Sequence, residues 1–125
     1  MRLGGSVMVM PNNIDMLREN GFDVDTALRR VMGKEESYIR ILKRFPADGS
    51  FAKMKDGLAE KDVKKAFEGA HTLKGISGNM GITAVFAAAQ PVVEILRDGS
   101  MEGIGPYVQT LETAYTRALN IINEL

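Results

Sequence analysis

The sequence predicts an all-α fold, and three observations lead to that prediction. Apolar residues recur three and four positions apart in several segments, most regularly in residues 104–125, which is the spacing of one helix face. No segment alternates apolar and polar residues with the period of two that is typical of β-strands. Short polar turns separate the longer segments, so neighbouring helices are expected to pack antiparallel.

Two short helices are predicted in residues 12–33, each begun by a side chain that can cap it and ended by a glycine. The capping candidates are Asn12 or Asn13 and Asp23 or Asp25, and the terminating glycines are Gly21 and Gly33. A further helical pattern opens on two glutamates, is interrupted by Pro46 and can restart at Asp48 or Ser50. Residues 35–58 are therefore predicted to form one kinked helix or two collinear helices.

Three long helices are predicted in the rest of the chain. Asp62 can cap the first, which runs to about Asn79. Thr83 can cap the second, and Pro91 in its interior is expected to kink it. The third begins at Pro106, because proline is well tolerated in the first turn of a helix.

Composition and length indicate one domain without metal or disulfide support. The chain has 125 residues, no cysteine and one histidine, which excludes a disulfide scaffold and argues against a metal site built on thiolate or imidazole. Sixteen Lys and Arg residues offset sixteen Asp and Glu residues, so no overall field attracts nucleic acid or a membrane surface. We therefore expect no metal, no nucleic acid and no membrane partner, and a protein partner chosen by a local patch.

Residues 1–12 are predicted to form a flexible N-terminal extension, because they include two glycines and a proline. The apolar run at residues 7–10 is too short for the core of a signal peptide. No stretch of the chain reaches the length of a membrane span. We expect a cytoplasmic protein in which residues 13–125 form one helical domain.

The single histidine, His71, is predicted to point away from the core. At 100° per residue, the apolar side of its helix lies opposite the imidazole. The residues on that apolar side are Ala66, Gly69, Leu73, Ile76 and Met80. Those within about 60° of the histidine are Lys64, Phe67, Glu68, Lys74, Gly75 and Gly78. The helix would thus present one imidazole to solvent beside a lysine.

Gly75 and Gly78 are predicted to clear the surface around His71. Each glycine costs about 1 kcal/mol relative to alanine in a helix interior, and a local cost of this kind is expected where function requires it. A close helix crossing explains the core-facing Gly69, whereas core packing does not explain the other two. Phe67, on the same side as the histidine, either offers an exposed aromatic ring to a partner or packs against a neighbouring helix.

The chemistry that best suits this exposed imidazole is nucleophilic. A convex helix face gives no pocket for general acid-base catalysis on a small substrate. A neutral ring nitrogen can accept a phosphoryl group by in-line displacement, which needs only access and charge compensation. Lys74, one turn after His71, lies where its ammonium could reach the phosphoryl oxygens. The alternative is that both are ordinary polar surface residues.

The stretch His71-Thr72-Leu73-Lys74-Gly75, with Gly81 ten positions after the histidine, resembles the signature of histidine-containing phosphotransfer (HPt) domains of bacterial multistep phosphorelays. The similarity extends over about residues 21–125. It implies an antiparallel four-helix up-and-down bundle, here with one or two short extra N-terminal helices. In such domains the exposed histidine takes a phosphoryl group from an aspartate of a receiver domain and passes it to another.

The resemblance implies roles for individual residues. His71 would be the phosphoacceptor, Lys74 would stabilise the phosphorylated state and Gly75 would keep the docking face open. The other residues expected on that face are Lys64, Phe67, Glu68 and Gly78. HPt domains are carriers without an ATP site, and the magnesium ion used in transfer belongs to the receiver domain. We therefore expect no cofactor on this chain, which also lacks a glycine-rich phosphate loop.

The partners implied are response-regulator receiver domains and a hybrid sensor kinase, with the chain itself a monomer. Two alternatives are left open by the sequence. The chain could be an HPt-like interaction module that docks a partner without phosphotransfer, or the phosphoacceptor fragment of a larger sensor kinase. An enzyme acting on a small molecule is disfavoured, because no convergent set of polar groups is evident.

Overall fold

Residues 12–125, which are those that the computed structural model describes, contain helices and no β-strand. The predicted all-α class is confirmed, whereas the predicted extension, residues 1–12, lies outside the described residues apart from Asn12. In chain order the helices are α1 (Asn13–Glu19), α2 (Val24–Arg30), α3 (Glu35–Leu42), a 3-10 turn (Phe45–Ala47), α4 (Ser50–Ala59), α5 (Val63–Asn79), α6 (Thr83–Arg97) and α7 (Gly105–Ile122).

Three helices begin at side-chain caps that the sequence predicts. Each cap accepts a hydrogen bond from a backbone N–H that has no partner within the helix. The bonds run from Ile14 N–H to Asn12 Oδ1 at 2.7 Å, from Thr26 N–H to Asp23 Oδ1 at 3.2 Å and from Lys65 N–H to Asp62 Oδ1 at 3.0 Å. The cap predicted at Thr83 is wrong, since Ile82 occupies the N-cap position and α6 starts at Thr83. The Thr83 hydroxyl donates to the Gly81 carbonyl at 3.3 Å instead.

Residues 35–58 form two helices, and Pro46 lies in the 3-10 turn between them. The Ser50 N–H donates to Asp48 Oδ1 at 2.9 Å where α4 begins. α6, in contrast, continues through Pro91 as one helix. A proline removes one backbone donor wherever it occurs in a helix, so its presence alone does not decide whether the helix ends.

The last four helices pack in chain order around one core, with α4 against α5, α5 against α6 and α6 against α7. Side chains join α4 to α7: the ring of Phe51 stacks on that of Tyr115, with centroids 4.1 Å apart and planes 5° apart. Tyr115 also contacts Phe45 at a centroid distance of 5.6 Å. The most deeply buried side chains among these helices include Met54, Leu73, Val85, Val92, Leu96 and Leu111.

Two glycines allow α4 and α5 to approach closely. A Cβ on Gly69 would overlap the Met54 backbone nitrogen and lie 2.7 Å from the Ser50 carbonyl oxygen. A Cβ on Gly57 would lie 2.7 Å from Cα of Ala66. Such distances leave no room for a methyl group against rigid backbone. The predicted explanation of Gly69, a close helix crossing, is therefore confirmed.

The first three helices close the C-terminal end of α5. The buried Tyr38 of α3 donates its hydroxyl to the Met80 carbonyl at 2.7 Å, and the Asp23 N–H donates to the Gly81 carbonyl at 2.8 Å. These bonds supply partners to carbonyls at a helix end that the helix itself cannot satisfy. Burial, aided by the negative charge of Asp23, raises the pKa of Tyr38, so the phenol stays a donor at physiological pH.

We expect Tyr38→Phe to lower the free energy of unfolding by about 1 kcal/mol, because the ring is kept while the Met80 carbonyl loses its hydrogen bond. Denaturant titration of both proteins measures the difference. Tyr107→Phe is the matched control, since Tyr107 is 47% exposed, and should change stability by less than about 0.5 kcal/mol. Equal losses in the two variants would contradict a specific role for the bond to Met80.

Candidate functional site

His71 lies near the middle of α5 with its side chain exposed. The buried residues of the same helix are Ala66, Gly69, Ala70, Leu73 and Ser77. The predicted orientation of the imidazole, away from the core, is thus confirmed. The imidazole stacks on the half-buried ring of Phe67 one turn earlier, with ring centroids 5.4 Å apart and planes inclined by 16°. This separation is typical of offset aromatic pairs, so Phe67 holds one face of the imidazole.

Two cations rest on aromatic rings where α5 meets α6. The Lys74 ammonium lies 5.7 Å from the centre of the Phe86 ring, and the Arg97 guanidinium carbon lies 5.2 Å from the centre of the Phe67 ring. Both distances are within the range of cation–π attraction, about 6 Å. Because Phe86 and Arg97 belong to α6, both pairs join the histidine helix to its neighbour.

The two glycines predicted to clear the surface differ from each other. Gly75 is exposed, and a Cβ built on it would meet no atom of residues 12–125 within 4 Å, so the open surface at this position is confirmed. Gly78 is half-buried, and its Cβ would lie 2.9 Å from Cδ1 of Phe86. Packing against α6 therefore explains Gly78, although Phe86 is half-buried and lies outside the core. Its angle on α5 was correct, but α6 folds back over that part of the helix after the turn at Gly81.

Lys64 and Glu68, the remaining residues predicted for the docking face, are both exposed. The Glu68 carboxylate pairs with the Lys53 ammonium of α4 at 3.1 Å. An exposed pair of this kind adds little to stability, so it leaves Glu68 free to exchange partners. The docking roles of these residues stay predictions.

Comparison with protein-family models matches residues 47–121 to the Hpt domain. The matched range covers more than half of the chain, contains His71 and includes α4, α5 and α6 completely. The chain belongs to the Hpt domain family. Hpt domains serve histidine phosphotransfer in phosphorelays, as phosphocarrier modules that interact with receiver domains and kinases. No significant match is found among curated proteins or among solved structures.

Sequence reasoning missed two residues of this Hpt domain that contact the predicted docking face, Phe86 and Arg97. Both are in α6, and an angle measured on α5 cannot identify them. Contacts of Phe67 with Arg97 and of Gly78 with Phe86 show that the two helices run in opposite directions. Phe86 and Arg97 are also three helical turns apart and so share one face of α6. That spacing was the signal in the sequence that could have found them.

The surface around the Hpt histidine is suited to a protein partner. The imidazole stands on a convex helix, with open space at Gly75 on one side, and the residues one turn before and one turn after it, Phe67 and Lys74, each take part in a cation–π contact with α6. A groove of about 710 Å³ lies elsewhere, between α6 and α7, and His71 is not among the residues that line it. Within residues 12–125, no helix combines the length and apolar character needed to cross a membrane.

Proposed function

We propose that this Hpt domain is a phosphoryl carrier in a multistep His-Asp phosphorelay. His71 accepts a phosphoryl group from a receiver-domain aspartate and passes it to an aspartate of another receiver domain. The observation that carries the proposal is the exposed imidazole in the middle of α5, within the family match and beside the open surface at Gly75. Such a nucleophile needs a partner that brings its own phosphoryl donor.

The transfer begins when a neutral ring nitrogen of His71 attacks the phosphorus of the aspartyl phosphate. A P–N bond forms while the P–O bond to the aspartate breaks, and the carboxylate leaves with the electron pair. The imidazole becomes cationic on attack and releases the N–H proton of its other nitrogen to water. The ammonium of Lys74 compensates the charge of the phosphoryl oxygens. The reverse sequence delivers the group to the second aspartate.

The same proposal includes the docking partners, the absence of a cofactor and the arrangement of the helices. Receiver domains dock on the face that includes Lys64, Phe67, Glu68 and Gly75, and a hybrid sensor kinase feeds the relay. The magnesium ion belongs to the receiver domain, and this chain, a cytoplasmic monomer, needs no cofactor or ATP site. α4 to α7 form the antiparallel four-helix up-and-down bundle, which the contacts between successive helices support.

The test is a phosphotransfer assay with purified receiver domains of the source organism, each phosphorylated in advance. We expect label to move to this chain as an adduct that is lost in acid and stable in base, as a phosphoramidate is. ATP alone and unphosphorylated receivers should give no label. Failure of every receiver to label the wild-type chain would reject the carrier function. Binding without labelling would instead support the alternative, a docking module without phosphotransfer.

A further inference from the structure

Lys74, Gly78 and Phe86 form a contact between α5 and α6 beside His71. Gly78 follows Lys74 by one helical turn, and its missing side chain leaves a notch on α5. The Phe86 ring occupies this notch, with Cδ1 at 2.9 Å and Cε1 at 3.1 Å from the place a Cβ on Gly78 would take. The Lys74 ammonium lies over the ring, 5.7 Å from its centre. Glycine, aromatic ring and cation therefore fit together as one unit.

We propose that Phe86 is a positioning residue for Lys74, and that Gly78 is small because this ring must fit against α5. The inference rests on the proposed carrier function and adds a part to it. The ring holds the ammonium on the α6 side of α5, and Lys74 follows His71 by about one helical turn. The charge is then already close to the place where negative charge arrives.

Lys74 needs a positioning residue because lysine is flexible. Its four-carbon stem has many rotamers, and fixing a long side chain costs conformational entropy. A ring under the ammonium restricts those rotamers before phosphorylation, so less ordering is needed during transfer. An ammonium binds a phosphoryl anion more strongly than it binds an aromatic ring. With its three N–H donors, the Lys74 ammonium can reach a phosphoryl oxygen while the ring still restricts the side chain.

The contact can be tested first in the protein alone. Ring current from Phe86 should shift the NMR signals of the Lys74 ε-methylene protons upfield, and Phe86→Leu should remove the shift. Phe86→Tyr, which keeps the ring face, should retain it. An unshifted lysine in the folded wild-type chain would overturn the proposal without reference to phosphotransfer.

The functional test measures the rate of transfer from a saturating phosphorylated receiver domain. We expect Phe86→Leu to slow the transfer by about two- to fivefold, because the freed lysine side chain must then be ordered during transfer, with the apparent affinity for the receiver unchanged. Phe86→Tyr should restore the wild-type rate. Gly78→Ala, which displaces the ring, should resemble Phe86→Leu. A Phe86→Leu variant that transfers as fast as wild type, or faster, would overturn the proposal.

A double-mutant cycle separates positioning from packing. In a Lys74→Gln background, Phe86→Leu should cause no further loss of rate, because the side chain that the ring positions is gone. A loss of equal factor in both backgrounds would mean that Phe86 acts through the fold, and would reject the positioning role. An unlabelled wild-type chain would reject the carrier function and this inference together. A labelled wild type with unaffected variants would reject only the inference.

Discussion

His71→Gln should abolish labelling of this chain by phosphorylated receiver domains while changing its free energy of unfolding by no more than about 1 kcal/mol. The lone pair of an amide nitrogen is delocalised, so glutamine offers no nucleophile in place of the imidazole. His71 is the single histidine, and no other residue can supply the same chemistry. Stability is nearly kept because the side chain is exposed and loses only its stack on Phe67.

Two measurements on the same preparation test this expectation, a labelling time course and a denaturant titration. Asn120→Gln, an exposed substitution on α7 with the same replacement residue, is the control and should be labelled like wild type. Persistent labelling of His71→Gln would assign the phosphoryl group to another residue and contradict the proposed site. Lost labelling together with a large loss of stability would show that His71 is needed for folding. That result would contradict the expectation that an exposed side chain contributes little to stability.

Features that depend on one helix could be predicted from the sequence. The exposure of His71, the burial of Leu73 and the cap at Asp62 follow from helical angle and from the unpaired N–H groups at a helix start. Gly69 and Gly75 could be separated in the same way, one facing the core and the other solvent. Local periodicity was therefore enough to predict the exposed histidine and the open surface beside it.

Features that depend on how two helices cross could not be predicted in this way. Gly78 shares the angular position of His71, yet Phe86 covers it because α6 returns along α5. The bond of Tyr38 to the Met80 carbonyl spans 42 positions of sequence, and no local pattern contains it. Such contacts are set by the packing of side chains between helices. A local pattern in one sequence does not reveal which side chains of two helices meet.

Gly81 is constrained both by its own backbone conformation and by a contact with another part of the chain. Its φ of +71° is a conformation that favours glycine, so a terminating glycine could be predicted there. A Cβ would also lie 3.0 Å from the carbonyl carbon of Asp23, a contact with the helices that precede residue 47. Those helices lie outside the range matched to the Hpt domain, yet they fix the end of the histidine helix through Asp23 and Tyr38.

Gly69→Ala should lower the free energy of unfolding by about 2–3 kcal/mol, whereas Gly75→Ala should raise it by about 0.5–1 kcal/mol. Alanine favours the helix at both positions, but at Gly69 its methyl group meets the α4 backbone at Ser50 and Met54 and forces the two helices apart. At Gly75 the methyl group meets no atom of the described part of the chain within 4 Å. The same substitution in one helix thus has opposite signs, and each variant is the control for the other.

Denaturant midpoints of the two variants test the signs directly, and a shift of both in one direction would contradict the crossing geometry. Phosphotransfer then separates stability from docking. Gly75→Ala should be the more stable protein and the slower acceptor, because its methyl group stands on the open face that a receiver domain must approach. Undiminished transfer by this stabilised variant would show that Gly75 is not part of the docking surface. A slower transfer would explain why a helix carrying its only imidazole keeps a residue that weakens it.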